Sequence, residues 1–321
     1  MIGPTKLCPK GIALIFVDLD DTVLVDGTKI MPRVVDALNL ARERGCMACV
    51  ASGRALHMVP QMVREPRTMD YLICSNGARV HDTIGGVLYE SLMTPQQVLE
   101  AMDQLDPLEP GWNAFVGDQS YFEWRGLSYL VTGHRERLTQ SDPRKALHTG
   151  AGLLLRDAAR NVRKVARFGK RVLFKRDNMM QVKRVRPYIE ATDEGIAKVG
   201  CSLPSPEACE RAMDILDYLG DFEVARMSPF ELEITAKGTT KGVAARWLMD
   251  YLDIDPECSV AFGDSENDAT LADACGTFVA MENGDDRIKQ LADDVCESVY
   301  DDGVARWLER AMAEADGANH V

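Results

Sequence analysis

The hydrophobic positions in the two end portions of the chain form short uninterrupted runs. Residues 12–17 and 259–262 are entirely apolar apart from Ser259, which is typical of strands buried on both faces of a parallel sheet. Residues 46–51 and 71–74 form two more runs, separated from each other and from the first by stretches with helical spacing. The β-α-β-α-β order predicts an α/β fold with a doubly wound parallel sheet and right-handed crossovers.

The middle of the chain has a different pattern. Residues 230–235 alternate strictly between apolar and polar, as a strand with one wet face does, and Ser205-Pro206 begins a predicted amphipathic helix. Half-exposed strands and amphipathic helices predict a second, α+β domain with an antiparallel sheet. We place this inserted domain at residues 84–236, which leaves 1–83 and 237–321 for the α/β domain. The length of the chain, 321 residues, agrees with two domains, because single hydrophobic cores tend to split beyond about 250–300 residues.

Composition and charge narrow the functional class. The 321 residues are 46% hydrophobic and 27% charged, and the net charge is −13, which argues against general binding to nucleic acid or to anionic membranes. No run of about 18 apolar residues and no signal peptide is seen, so we expect a cytoplasmic protein.

Residues 160–186 are strongly basic, and we interpret them as a solvated helix face rather than an anion site. Residues 139–152 are predicted to form a loop, and Cys46 and Cys49 to be buried thiols.

Polar residues follow four of the predicted strands directly. They are Asp18–Thr22, Ser52–Arg54, Ser75–Gly77 and Gly263–Asp268. Because ligands of a doubly wound sheet bind beyond the carboxyl ends of its strands, we expect these four segments to meet at one edge.

The predicted cluster of acids needs a cation. Asp18, Asp20, Asp264 and Asp268, brought within several ångströms, would repel one another in a partly dry site. A hard divalent ion with oxygen ligands relieves this repulsion, and Mg²⁺ also suits phosphate substrates. Lys241, near a predicted helix start, adds a compact positive charge for an anionic group. This combination fits phosphoryl transfer, in which positioning and charge neutralisation supply most of the catalysis.

At these positions the sequence resembles the haloacid dehalogenase (HAD) superfamily of phosphatases. More narrowly, it resembles the Cof-type branch, subfamily IIB, whose C2-type cap is inserted between the second and third motifs. The matching segments are Asp18–Leu24, Ala51–Arg54, Ser75–Ala78, Lys237–Gly242, Gly263–Asp268, Ala280–Gly284 and Asp302–Ala305. The resemblance covers the α/β domain in the right order, and it matches the inserted domain by position and size.

The resemblance implies catalytic and metal-binding roles. Asp18 would be the nucleophile, and Asp20 the general acid and then the general base. Asp18, the backbone carbonyl of Asp20 and Asp264 would bind Mg²⁺, and Asp268 would do so either directly or through water. Position 21 is most often Gly in the family, and we expect Asp21 to cap the following turn.

The resemblance also implies a phosphate-binding set. Ser52 and Lys241 would hold phosphate oxygens, with Lys241 also restraining the Asp18 carboxylate. Gly53, Asn76 and Asn267 complete the set. The two asparagines, like Arg54, are expected to support their loops more than to take part in the chemistry.

The predicted function is a Mg²⁺-dependent phosphatase that hydrolyses small phosphorylated metabolites, in particular sugar phosphates, through an aspartyl-phosphate. A phosphomutase or phosphotransferase remains an alternative, because it would share the same site chemistry. A non-catalytic protein that binds a phosphorylated ligand is a more remote one. A phospho-receiver domain also groups acids, hydroxyls and Lys, but it carries its acceptor after the third strand, whereas Asp18 follows the first. The sequence gives no indication of oligomeric state.

Overall fold

The chain divides into two compact units in a computed structural model. The structure describes residues 11–25, 27–65, 68–126, 128–129 and 178–318. Met1–Ser91 and Gly238–Val321 form one unit, called the core unit here, and Leu92–Lys237 form the other, called the inserted unit.

The strands in the described residues, in chain order, are β1 (Leu14–Val17), β2 (Leu24–Val25), β3 (Lys29–Ile30), β4 (Met47–Ala51), β5 (Tyr71–Cys74), β6 (Arg79–Asp82), β7 (Val87–Glu90), β8 (Gly111–Val116), β9 (Gln119–Glu123), β10 (Met179–Val182), β11 (Ile196–Ser202), β12 (Phe222–Ser228), β13 (Glu231–Ala236), β14 (Ser259–Gly263), β15 (Thr277–Met281) and β16 (Asp294–Cys296). The α-helices of the same residues are α1 (Pro32–Glu43), α2 (Gln61–Arg64), α3 (Pro95–Leu105), α4 (Arg186–Glu190), α5 (Pro206–Leu219), α6 (Lys241–Leu252), α7 (Ala269–Ala274), α8 (Asp286–Leu291) and α9 (Gly303–Ala318).

The core unit is built on a sheet that has eight strands in the described residues, in the order β16-β15-β14-β1-β4-β5-β6-β7. The first six of these strands are mutually parallel, and β6 and β7 extend the sheet in antiparallel fashion. Strand β1 lies in the middle and is buried on both faces: Leu14 and Phe16 pack on one side, Ile15 and Val17 on the other. The prediction of a doubly wound parallel sheet is therefore confirmed.

Helix boundaries in the core unit follow from local signals. Helix α1 has Pro at its start and buries Val34, Leu38 and Ala41. Helix α6 is capped by Thr240, whose hydroxyl accepts a hydrogen bond from the Val243 N–H at 3.1 Å. This cap places Lys241 at the first helical residue, beside the sheet edge.

The inserted unit contains a mixed sheet with helices, as an α+β domain does. In the described residues its sheet has six strands, in the order β10-β9-β8-β11-β13-β12. All neighbouring pairs are antiparallel except β9 and β10. In β13, Leu232 and Ile234 join the hydrophobic core formed with α3 and α5. Helix α5 is capped by Ser205, which accepts from the Ala208 N–H at 3.2 Å.

The first boundary of the inserted unit lies later than the predicted residue 84. Residues 87–90 form β7, which pairs with β6 and so stays with the core unit up to Ser91. The polar turn between the two strands resembles a linker in the sequence, but it is the tip of a hairpin.

The predicted loop at residues 139–152 and residues 160–177 of the basic stretch lie outside the described residues. Cys46 and Cys49 are buried, as predicted. Burial raises the pKa of the Cys49 thiol well above its ordinary value. Within the part of the chain that the structure describes, no helix combines the length and the apolar character needed to cross a membrane.

Candidate active site

The four polar segments predicted to meet do follow neighbouring strands of the core-unit sheet. Their strands β14, β1, β4 and β5 are adjacent and parallel. The carboxyl ends of parallel strands lie at the same edge, so these segments share that edge. The segments are tied by backbone hydrogen bonds: the Asp18 N–H donates to the Phe262 carbonyl at 3.0 Å, and the Asn76 N–H donates to the Ser52 carbonyl at 3.1 Å.

The centre of the site is a buried lysine between two buried carboxylates. Lys241 Nζ donates to Asp18 Oδ1 and to Asp268 Oδ1, both at 2.7 Å. The three side chains are at most 7% exposed. Although burial disfavours its charge, the two carboxylates raise the pKa of Lys241 above its ordinary value. Lys241 is therefore a fixed cation beside Asp18.

Burial affects the pKa of Asp18 more than its ion pair with Lys241 does. Burial raises the pKa of Asp18 to about 7, and the neighbouring charges of Asp268 and Asp20 act in the same direction. The ammonium of Lys241 opposes this shift. A second positive charge near Asp18 would favour the ionised form that a nucleophile needs.

Asp264 is a third carboxylate close to Asp18 and Asp268. Its Oδ1 accepts a hydrogen bond from the Thr22 hydroxyl at 3.0 Å. Burial, followed by the charges of Asp18 and Asp268, raises the pKa of Asp264 well above its ordinary value. One carboxylate oxygen from each of Asp18, Asp264 and Asp268 can be found such that all three lie within 4.8 Å of one another.

These residues fit a magnesium ion. The donors are all carboxylate oxygens, which Mg²⁺ prefers, and burial together with the neighbouring carboxylates raises the pKa of both Asp18 and Asp264, so a bound cation would favour their ionised forms. Asp268 is already engaged at both oxygens: Oδ1 by Lys241, and Oδ2 by the N–H groups of Asp264 and Ser265 at 3.0 and 3.1 Å. Its main observed contacts thus orient the lysine and the turn that carries Asp264.

Asp20 pairs with a different cation from the one that binds Asp18. Arg54 donates to both of its carboxylate oxygens, Nε to Oδ2 at 2.8 Å and Nη2 to Oδ1 at 2.6 Å. The Asp20 side chain is 45% exposed, whereas that of Arg54 is 11% exposed. Two residues along the chain from Asp18, Asp20 therefore presents an accessible carboxylate held in one orientation.

The predicted phosphate-binding residues lie in four segments: after β4, after β5, after β14 and at the start of α6. Ser52 is buried, and its hydroxyl accepts from the Arg54 N–H at 3.3 Å. Asn267 Nδ2 donates to Asn76 Oδ1 at 3.1 Å. The two asparagines thus connect the segments after β5 and β14. Gly53 follows Ser52 at the same strand tip.

Comparison with known proteins decides the family. A sequence model described as haloacid dehalogenase-like hydrolase matches residues 15–308, nearly the whole chain. The chain belongs to the haloacid dehalogenase-like hydrolase family. The predicted membership is confirmed, and the protein is a phosphatase of the Cof type.

Several relatives of this HAD-like hydrolase match more than nine-tenths of its length. Phosphatase YwpJ of Bacillus subtilis (strain 168) is 25% identical over 303 residues, which cover 93% of this chain and 99% of YwpJ. The 5-amino-6-(5-phospho-D-ribitylamino)uracil phosphatase YitU of the same organism is 25% identical over 304 residues, which cover 92% of this chain and 96% of YitU. The structure of BT4131, a sugar phosphatase of HAD subclass IIB, has the same fold, with a TM-score of 0.69 at 17% identity over 93% of this chain and 98% of that chain.

Three contacts of this HAD-like phosphatase were not assigned from the sequence. They are the hydrogen bond from Thr22 to Asp264, the Arg54–Asp20 pair, and the hydrogen bond from Asn283 Nδ2 to the Asp21 carbonyl at 2.8 Å. Thr22 and Arg54 each lie in a matching segment at fixed spacing, so a sequence signal existed for both. The sequence did not indicate their partners, because Asp264 lies 242 positions from Thr22 and Asp20 lies 34 positions from Arg54.

The unusual Asp21 also has a backbone explanation. Its φ of 63° lies in the left-handed region, which favours Gly and, after it, Asn and Asp. This accounts for the Gly usual in the family and for the tolerance of Asp at this position. Asn283 binds the Asp21 carbonyl and also accepts from the Val299 N–H at 2.7 Å, so it holds this turn.

Proposed function

We propose that this HAD-like phosphatase hydrolyses small phosphorylated metabolites, sugar phosphates first among them, in a Mg²⁺-dependent reaction that passes through an aspartyl-phosphate on Asp18. The observation that carries the proposal is the buried ammonium of Lys241 bound to both Asp18 and Asp268 at 2.7 Å. A carboxylate held in this way beside a fixed cation, at the edge where the strand tips meet, suits attack on an anionic phosphate ester.

In the first half-reaction, an oxygen of Asp18 attacks phosphorus. A bond forms between this oxygen and phosphorus as the bond from phosphorus to the ester oxygen breaks. Asp20 gives a proton to the departing oxygen, and its exposed carboxyl is two residues from the nucleophile. Lys241 fixes the direction of the Asp18 carboxylate and offsets negative charge on the phosphoryl oxygens.

In the second half-reaction, water attacks the aspartyl-phosphate. Asp20, now ionised, takes a proton from that water, and the Asp18–phosphorus bond breaks to release inorganic phosphate. Ser52, buried at the tip of β4, and the loops joined by Asn76 and Asn267 are assigned to hold phosphate oxygens. The same groups would serve a mutase, in which a sugar hydroxyl replaces water.

Magnesium would be held by Asp18 and Asp264, with the backbone carbonyl of Asp20 as a further ligand. Asp268 would act through water, because both of its oxygens already accept hydrogen bonds from the protein. When bound, the ion supplies positive charge that offsets the repulsion between the carboxylates and the substrate phosphate.

The substrate class rests on the relatives. YitU is named as a phosphatase of a phosphoribitylamino compound and BT4131 as a sugar phosphatase. Both names describe phosphate esters on small organic molecules. In our proposal the inserted unit, Leu92–Lys237, determines which of them is accepted.

The test is release of phosphate from a panel of phosphorylated metabolites, with Mg²⁺ and with EDTA. We expect turnover that requires Mg²⁺ and is lost in Asp18→Asn, whereas Asp286→Asn, which changes an exposed aspartate, retains it. Intact-mass analysis after acid quenching should show a phosphoryl adduct that is absent in Asp18→Asn. Unimpaired turnover by Asp18→Asn would refute the nucleophile. Isomerised sugar phosphate in place of free phosphate would favour the mutase.

A further inference from the structure

Arg54 makes an unusually complete set of contacts at the proposed acid–base residue. Besides its two bonds to Asp20, it donates from Nη2 to the Gly27 carbonyl at 2.6 Å and from Nη1 to the Met58 carbonyl at 3.1 Å. At least four of its five N–H donors are therefore engaged within the core unit. A guanidinium already committed in this way is poorly suited to bind a phosphate directly.

The backbone of Arg54 is fixed as well. Its N–H donates to the Ser52 hydroxyl at 3.3 Å, and its carbonyl accepts from the Ser75 N–H at 2.8 Å. The side chain therefore extends from a rigid point between the segments after β4 and β5. From there it reaches the segment after β1 and, through the Gly27 carbonyl, the turn between β2 and β3.

The fork geometry determines what this contact does to Asp20. An aspartate that is 45% exposed would ordinarily sample several side-chain rotamers. Two parallel N–H···O bonds from a planar guanidinium fix both the position and the plane of the carboxylate, which a lysine cannot do.

We propose that Arg54 is a positioning residue: it holds the Asp20 carboxylate where the ester oxygen departs, without touching the substrate. This inference rests on the proposed function, because it assumes that Asp20 donates a proton in the first half-reaction. Displacing a reacting group by about 1 Å can lower the rate about 100-fold. Loss of the two hydrogen bonds from Arg54 to Asp20 should therefore have a measurable effect on the rate.

The experiment compares kcat/KM for two aryl esters, since this constant reports the steps up to departure of the leaving group. Phenyl phosphate has a leaving group with a pKa of about 10, like that of Tyr, and needs a proton. 4-Nitrophenyl phosphate has a much weaker base as its leaving group. We expect Arg54→Ala and Arg54→Lys to lose about 100-fold on phenyl phosphate and far less on 4-nitrophenyl phosphate.

A double-mutant cycle then separates positioning from other roles. If Arg54 acts through Asp20, Arg54→Ala should have little further effect on phenyl phosphate in the Asp20→Asn background, within about threefold. An equal loss in both backgrounds would overturn the proposal, and so would an equal loss on both esters.

Arg42→Ala is the matched control. Arg42 forms the same bidentate pair with Asp70, at 2.9 and 2.6 Å, elsewhere in the core unit. We expect this variant to keep the parent ratio between the two esters. The Arg54→Lys variant retains the charge and the approximate length of the side chain, so it keeps the test valid if Arg54→Ala fails to fold. The stabilities of both Arg54 variants are compared with that of the parent by urea unfolding. If the parent protein shows Mg²⁺-dependent release of phosphate from neither aryl ester nor any member of the metabolite panel, the proposed function fails. The positioning role fails on the ratios between the two esters.

Discussion

Replacing Lys241 by Met would remove the one cation seen within hydrogen-bonding distance of both Asp18 and Asp268 in the described residues. At 2.7 Å and an effective dielectric constant of 20, each charge pair has an attraction of about 6 kcal/mol. Much of this offsets the cost of dehydrating the charges. Breaking a buried pair by removing one partner typically destabilises a protein by about 3–5 kcal/mol, and we expect this loss for Lys241→Met.

The assay is urea unfolding in EDTA, so that no divalent ion replaces the lost charge, together with phosphate release in Mg²⁺. Lys289→Met serves as control: Lys289 pairs with Asp286 at 3.1 Å, but the aspartate is 93% exposed. Exposed pairs contribute about 0–1 kcal/mol. Activity should fall by orders of magnitude in Lys241→Met and remain near the parent value in Lys289→Met.

The pH dependence gives a second check on the same variant. Burial raises the pKa of Asp18 to about 7, and Lys241 opposes that rise, so removing Lys241 must raise the pKa further. The folded state then takes up its proton at higher pH than the parent does, and it gains more stability as the pH falls. The deficit should be largest at high pH, shrink as the pH falls through the raised pKa of the variant, and level off below about 7, where Asp18 of the parent takes up its proton as well. A deficit below about 1 kcal/mol, the scale of an exposed pair, or one that grows on acidification, would refute the reasoning.

Three further predictions concern other parts of the molecule. Because protons compete with Mg²⁺ for Asp18, whose pKa is about 7, and for Asp264, whose pKa is also raised, the Mg²⁺ affinity measured by calorimetry should fall as the pH is lowered through about 7, by up to about tenfold per pH unit for each carboxylate that must lose its proton. Gly77→Ala should destabilise by about 3 kcal/mol or more in urea unfolding and impair turnover, because its Cβ would lie 2.1 Å from a backbone carbonyl oxygen at the start of α6. Gly85→Ala, with positive φ but open space around it, should cost only about 1–2 kcal/mol. Lys198→Met should destabilise the protein by about 3 kcal/mol by leaving Glu233 without its lysine, and adding Glu233→Leu should restore part of that loss.

Much of the fold could be predicted because its signals are local. Uninterrupted apolar runs, helix caps such as Thr240 and Ser205, and polar residues at strand ends are all readable within a few positions. The predicted first boundary of the inserted unit, at residue 84, lies too early because the local pattern did not reveal β7. The short strand β7 is only half-buried at the sheet edge, and its membership of the core unit depends on pairing with β6.

The sequence by itself determined which residues reach the site. Parallel strands place their carboxyl ends at one edge, so Asp18, Ser52 and Asp264 were expected at that edge. The strand order that makes their strands neighbours came from the structure. The tertiary structure decided the pairings that the sequence did not indicate: Lys241 also binds Asp268, and Asp20 is held by Arg54, 34 positions away. Such pairings depend on side-chain rotamers, burial and differences of a few ångströms between neighbouring loops, which local patterns do not encode.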